Sequence, residues 1–336
     1  MKFLIAGLGS IGKRHLHNLL ELGERDILLY RTHKGALGED NLEDFPVETE
    51  LHTALAHKPD AVIISNPTSL HLDVAIPAAE AGCHILLEKP ISHSMDQTEE
   101  LQTAVHNGGG QVLVGYQFRF HPSLQIIRKL LSSNAIGQPL SVQAHWGEYL
   151  PGWHPWEDYR KGYSARKDLG GGVILTLSHP IDYLRWLLGK INLIWSFAGR
   201  SGEFELDVED NAVIGLEFDS NAIGSLHLNY NQQPPVHRLE IVGSQGTIRW
   251  EYSDGSVMLY QAKSNEWETF PLRSNFVRND MFRKEMAHFL DIVHNNVIPL
   301  CSLKDGIECL RLALAALQSA ETGQLINPQI NCNQIN

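Results

Sequence analysis

The sequence predicts an α/β domain over residues 1–120, built on a doubly wound parallel sheet, followed by an α+β domain over 121–336 with a large, mostly antiparallel open sheet. Three observations carry this. Short apolar runs alternate with helical patterns through the first third of the chain, and a glycine-rich turn joins the first run to the first helix. From Leu140 onward the runs lengthen and alternate with period two, separated by turn residues.

In chain order, Phe3 to Ala6, Ile27 to Tyr30, a weaker segment near Val47, Ala61 to Ser65, His84 to Leu87 and Gln111 to Gly115 form the first set of strands. Helical periodicity fills most intervals, at His15 to Leu22, Leu51 to His57, His71 to Ala81 and Met95 to His106. Strands that alternate with helices need a parallel sheet covered on both faces, and two three-strand halves are what a dinucleotide-binding sheet requires. The second domain starts its strands at Leu140 to Leu150, continues with Asn192 to Ala198, Glu209 to Phe218, Ala222 to Tyr230, His237 to Val242 and Thr247 to Tyr252, and ends with Val257 to Tyr260. Asp219-Ser220-Asn221 and Gly243-Ser244-Gln245-Gly246 have the composition of hairpin connections. Val173 to Leu188 is expected as one apolar helix, with amphipathic helices at Met281 to His294 and Leu303 to Gly323.

Composition narrows the function classes. The formal charge of -12 over 336 residues supplies no basic face for phosphate neutralisation, so nucleic acid is not the expected partner; a small molecule is. Cys83, Cys301, Cys309 and Cys332 lack the spacing of metal ligands, and reduced thiols are expected, with no metal. No run approaches the roughly 18 apolar residues of a membrane span, and a cytoplasmic protein is expected.

Gly7-Leu8-Gly9-Ser10-Ile11-Gly12 follows the first strand directly and opens a helix. In that context the glycines have a mechanism: a tight turn, backbone access for a pyrophosphate at the helix N-terminus, and close packing of helix on strand. These features are the Rossmann signature, with Gly7, Gly9, Ser10, Ile11 and Gly12 as cofactor contacts. An Asp or Glu that accepts the ribose 2′-hydroxyl of NAD belongs at the end of the second strand. Tyr30-Arg31-Thr32-His33-Lys34 stands there instead, without a carboxylate. Arg31, Thr32 and Lys34 suit a 2′-phosphate, so NADP is expected ahead of NAD.

Glu88-Lys89-Pro90 puts an ionisable lysine at the exit of the His84 to Leu87 strand, where an open α/β sheet holds its ligands. In the second domain, Gly170-Gly171-Gly172 precedes an apolar stretch carrying His179 and Asp182. Spaced i and i+3, these two share a helical face, which would let Asp182 orient the imidazole, although Pro180 lies between them.

Together with Asn66-Pro67-Thr68 to His71 and Gly115-Tyr116-Gln117-Phe118-Arg119-Phe120-His121-Pro122, these motifs resemble the glucose-fructose oxidoreductase, inositol dehydrogenase and rhizopine-catabolism family (Gfo/Idh/MocA) over nearly the whole chain. The resemblance implies an NAD(P)-dependent dehydrogenase or reductase that acts on a sugar, cyclitol or nucleotide-sugar derivative. It implies Lys89 and His179 as catalytic groups. Asn66, Pro67, His71, Glu88, Lys89 and Gln117 would join the cofactor contacts, and Arg119 and His179 the substrate contacts. Many members carry an aspartate four residues before the histidine; here that position is Leu175, with Thr176 the nearest polar residue. Either Asp182 or Thr176 supports His179, or the histidine acts without such help. The resemblance also permits a cofactor-retaining glycosidase that works by transient oxidation, and a protein that only binds the dinucleotide remains an alternative.

Tyr149 to Arg166 is a loop rich in aromatic and charged residues. Trp153 and Tyr163 can stack on a sugar face and Arg166 can bond hydroxyls or a carboxylate, as a substrate loop would; an oligomer-interface loop is the other reading. The open sheet is expected to pair copies of the chain into a homodimer or homotetramer.

Overall fold

The computed structural model describes residues 1–32, 44–153 and 155–329. By contacts the chain divides into two compact units, Met1–Gln117 with Arg278–Ile307 and Phe118–Val277 with Glu308–Asn336. Where a single break after residue 120 was expected, the chain therefore crosses between units a second and a third time.

The first unit runs β1 (Phe3–Ala6), α1 (Ser10–Glu21), β2 (Ile27–Tyr30), β3 (Val47–Glu48), α2 (Leu51–Ala56), β4 (Ala61–Ile64), α3 (His71–Glu80), β5 (His84–Leu87), α4 (Thr98–Gly108) and β6 (Val112–Val114). Its six strands pair in the order β3-β2-β1-β4-β5-β6, every pair parallel. β1 and β4 are buried at every position, which is why their sequences are unbroken apolar runs. The strand order reverses between β1 and β4, so the turns after these two strands open the crevice where such sheets hold ligands. α4 begins at Thr98, three residues later than its periodicity predicts, because Gln97 takes a left-handed φ of 60° and Thr98 N and Oγ1 both donate to the Met95 carbonyl.

The second unit opens with α5 (Pro122–Ser132) and β7 (Pro139–Tyr149), then four short 3-10 turns span Leu150 to Leu169. α6 (Val173–Thr176) and α7 (His179–Leu188) follow, then β8 (Ile191–Gly199), β9 (Asn211–Phe218), β10 (Ile223–Asn229), β11 (Asn231–Gly243), β12 (Gly246–Glu251), β13 (Val257–Gln261) and β14 (Glu266–Phe270). The predicted single helix over 173–188 is broken at Leu177-Ser178: Pro180 has no N–H to donate and sits in the first turn of α7, where none is needed. Two elements escaped the sequence reading. α5 carries its start signal in His121, whose Nδ1 accepts from Ser123 N at 3.1 Å. β14 is an edge strand, exposed at four of its five positions, so it shows no apolar alternation.

These eight strands pair in the order β14-β13-β12-β11-β7-β10-β9-β8, antiparallel throughout except β7 with β10. Alternation sorts their side chains. Val142, Ala144, Trp146, Ile214, Leu216, Leu226, Leu228, Leu239, Ile241 and Trp250 fill the core face. On the other face Phe197 is 66% and Ile223 62% exposed. The chain ends with α8 (Asn279–Asn295), in the first unit, and α9 (Leu303–Thr322), which runs from the first unit into the second. Among the described residues, no helix is long and apolar enough to cross a membrane.

Candidate active site

In the first unit the glycine-rich turn has the geometry its sequence predicts. A Cβ on Gly12 would lie 2.0 Å from the Gly7 carbonyl oxygen, and one on Gly7, whose φ is +90°, would lie 2.5 Å from Asn66 N. Both positions therefore exclude any side chain. A Cβ on Gly9 would meet nothing within 4 Å, so the backbone there borders open space at the N-terminus of α1. Two closed glycines and one open one are what a pyrophosphate laid on a helix N-terminus requires, and Ser10 and Ile11 begin that helix. The residues present thus fit a dinucleotide.

Arg31 and Thr32 follow β2, with Arg31 N donating to the Glu48 carbonyl at 3.0 Å. Thr32 is exposed and Arg31 half-buried. Lys34 lies outside the described residues.

His71 lies between the turns after β4 and β5. It is buried, with Nδ1 2.9 Å from the Pro90 carbonyl and Nε2 3.0 Å from the Asn66 carbonyl. Burial pushes its pKa below the usual imidazole value, so the neutral ring donates from one nitrogen. That single N–H bonds one of the two carbonyls, so His71 holds one turn and packs against the other. Asn66 Nδ2 donates to Leu70 O at 2.8 Å, while Asn66 Oδ1 and Gln117 Oε1 are buried without a hydrogen-bond partner. Pro67 sets the N-terminal end of the short turn that leads into α3. Two unsatisfied acceptors at the carboxyl ends of the strands are donor-seeking groups, as an amide-bearing ligand would satisfy.

Glu88 is also buried, at 8% exposure. Its Oε1 accepts from His15 Nε2 at 2.8 Å and its Oε2 from Lys89 N at 3.2 Å. Burial alone would raise its pKa, but the hydrogen bond and charge of His15, with the charge of Lys89, hold it below the ordinary carboxylate value. A Cβ on Gly115 would come within 3.1 Å of this carboxylate, so the glycine after β6 makes room for it. Lys89 itself is half-buried.

In the second unit, His179 is 2% exposed at the start of α7, its ring 5.0 Å from that of Phe118 and 5.5 Å from that of Trp146. His237 stacks on Trp146 at 4.4 Å and lies 3.2 Å from the Tyr183 hydroxyl, which extends the aromatic cluster behind the histidine. Asp182, which the spacing offered to His179, is the partner of Arg119: Oδ1 accepts from Nη2 at 2.6 Å and Oδ2 from Nε at 2.9 Å, with both side chains buried. Arg119 was expected to meet substrate. Its guanidinium forms a two-pronged clamp on Asp182, the arrangement a buried arginine needs.

The glycine triplet explains the neighbouring loop. A Cβ on Gly171 would lie 2.4 Å from the Tyr163 carbonyl, and one on Gly172, whose φ is +105°, would lie 2.5 Å from both carboxylate oxygens of Glu209. Glu209 Oε1 accepts from Ile174 N at 3.0 Å, and burial pushes its pKa up to about 7. The neighbouring hydroxyl of Tyr230 donates to the Ser164 carbonyl at 3.3 Å and hydrogen-bonds Thr176. Trp153 stands edge-on to Tyr230 at 5.6 Å with its Nε1 buried and unpartnered. Tyr163 is exposed. Arg166 is exposed and paired with Asp168, Nε to Oδ1 at 2.9 Å. Sequence reasoning missed His15, Glu209 and Glu285; of these Glu285 left a signal, a lone acid in the apolar stripe Met281, Phe282, Met286, Phe289 and Ile292 of α8.

Both parts of the chain are similar to known proteins. Residues 1–116 match the family model described as "Oxidoreductase family, NAD-binding Rossmann fold". Residues 124–249 match the GFO/IDH/MocA C-terminal domain. Scyllo-inositol 2-dehydrogenase (NAD(+)) of Bacillus subtilis is 27% identical over 351 residues, covering 95% of this chain and 94% of its own. D-xylose 1-dehydrogenase (NADP(+)) 2 of Haloferax volcanii is 23% identical over 336 residues, covering 97% and 99%. A levoglucosan dehydrogenase solved with NADH and levoglucosan superposes with a TM-score of 0.86 at 19% identity, over 97% of this chain and 99% of that one, which shows a shared fold. With both of its parts matched in order, the chain belongs to the GFO/IDH/MocA family of oxidoreductases.

Proposed function

We propose that this protein transfers a hydride between a nicotinamide dinucleotide and a hydroxyl or keto carbon of a sugar, cyclitol or nucleotide sugar, with Lys89 and His179 as its catalytic groups. The observation that carries the reading is Lys89 at the exit of β5, its peptide N–H held by the buried Glu88 carboxylate, in the same unit as an open Gly9 and closed Gly7 and Gly12. Gly7, Gly9, Ser10, Ile11 and Gly12 would hold the pyrophosphate, with Asn66, Pro67 and Gln117 beside the nicotinamide end. When bound, the dinucleotide supplies the hydride acceptor or donor. The chain's own task is the proton: Lys89 Nζ or the His179 imidazole takes it from the substrate hydroxyl or returns it to the carbonyl oxygen.

The test is turnover on a panel of sugars, cyclitols and nucleotide sugars with each dinucleotide, for wild type, Lys89→Ala and His179→Ala. Loss of a positioned acid or base lowers kcat by ~10²- to 10⁴-fold. Wild-type rates in both variants would overturn the assignment, and bound cofactor without any hydride transfer would favour a binding protein.

NADP is the preferred cofactor in this reading, because β2 is followed by Arg31 and Thr32, with no carboxylate from Arg31 to Lys34. Arg31→Ala should weaken NADP binding by about tenfold and leave NAD nearly unchanged, consistent with loss of one charge-assisted contact. Equal effects on the two affinities would refute the preference.

A further inference from the structure

Behind the Lys89 turn, the first unit buries a cluster that the proposed chemistry leaves unused. His15 and Glu285 are 0% exposed and Glu88 8%. One side-chain nitrogen or oxygen from each lies within 4.8 Å of the others. Both oxygens of Glu285, and His15 Nδ1, have no hydrogen-bond partner. A buried polar group left in that condition needs a reason. Two carboxylates this close cannot both ionise without strong repulsion, and Glu88 already has the His15 bond and the Lys89 N–H to keep it charged.

We propose that Glu285 is a positioning residue for the reaction at Lys89: packed as an uncharged carboxyl beside the His15–Glu88 pair, it leaves Glu88 the one charged carboxylate of the cluster and so keeps it on the Lys89 peptide N–H. The idea rests on the function proposed above. The charge state agrees with it, since burial and then the Glu88 charge raise the Glu285 pKa well above the ordinary value of 4.5. The charged and titratable groups around Glu88 are His15 and Arg14 on α1, Lys89 after β5 and His71 on α3, with Arg278, next to Arg14, just before α8. Ionising Glu285 would set a second negative charge against Glu88 and loosen its hold on the turn.

The experiment compares the full chain, with cofactor bound, as wild type, Glu285→Gln, Glu285→Ala and Lys89→Ala. In kinetics, Glu285→Ala should lower kcat roughly ten- to a hundredfold with KM nearly unchanged, as expected for a displaced catalytic group. Glu285→Gln should restore most of the neutral-pH rate and abolish the fall of kcat at alkaline pH. In thermal melts from pH 5 to 9, a raised carboxyl contributes stability that is present below its unfolded value and lost as pH rises through its folded value. Glu285→Gln should therefore gain on wild type steadily with pH, a readout that needs no substrate and remains if Glu285→Ala fails to fold. A melting difference that is flat with pH, an unchanged kcat in Glu285→Ala, or a stoichiometric divalent cation in the purified protein lost together with His15 would each overturn the proposal. An active Lys89→Ala would instead overturn the function on which it rests.

Discussion

At the residue scale, the Arg119–Asp182 pair sets the clearest demand. Two full charges removed from water survive only together, and both carboxylate oxygens of Asp182 accept from the Arg119 guanidinium. Removing one member strands the other. Asp182→Ala should destabilise the protein by about 3–5 kcal/mol in urea unfolding, the usual cost of an unpaired buried charge. A loss under about 1 kcal/mol would mean that water reaches Arg119, as in a surface pair. The sequence marked both residues as important but paired neither with the other, because 63 positions separate them and only the fold brings them together.

At the element scale, the turn from the glycine triplet into α6 and α7 decides how the second unit presents His179. Gly172 combines a left-handed φ with a carboxylate where its Cβ would be, so neither backbone nor space tolerates a side chain. Gly172→Ala should cost about 1–3 kcal/mol in denaturant unfolding. Gly23→Ala is the control: its φ is +100° but a Cβ there meets nothing, so it should lose only the conformational part. Equal losses would show that the Glu209 contact does not matter. Three glycines in a row were legible as a close approach; what approaches, the Glu209 carboxylate and the Tyr163–Arg166 loop, was not. Of the loop residues read as substrate contacts, Trp153 packs on Tyr230 and Arg166 pairs with Asp168, partners that leave no trace in composition.

At the scale of the whole molecule, the open face of the eight-stranded sheet carries exposed apolar side chains. Phe197 pairs in register with Val213, Val213 with His227, and His227 with His145, on which its ring stacks at 4.6 Å. Phe197, Val213 and Ile223 are all exposed on that face. Apolar area of this kind on a sheet commonly seats a second copy across a two-fold axis, and self-association is proposed for it here. Phe197→Glu with Ile223→Glu should convert an oligomer to monomer in sedimentation, without loss of cofactor binding. A wild-type chain that sediments as a monomer at tens of micromolar would refute it.

By itself the sequence determined the local rules: unbroken apolar runs for strands buried on both faces, alternation for a sheet with one open face, glycines where a Cβ has no room, and a lysine at the exit of β5. Each is fixed by neighbours a few residues away, so period and spacing reveal it. Only the tertiary structure decided which distant groups meet. Asp182 goes to Arg119, Glu209 sits over Gly172, His71 lies between the Asn66 and Pro90 carbonyls, and α8 returns to set Glu285 beside His15 and Glu88. Those pairings depend on desolvation and on matching buried donors to acceptors across the fold, which no periodicity records.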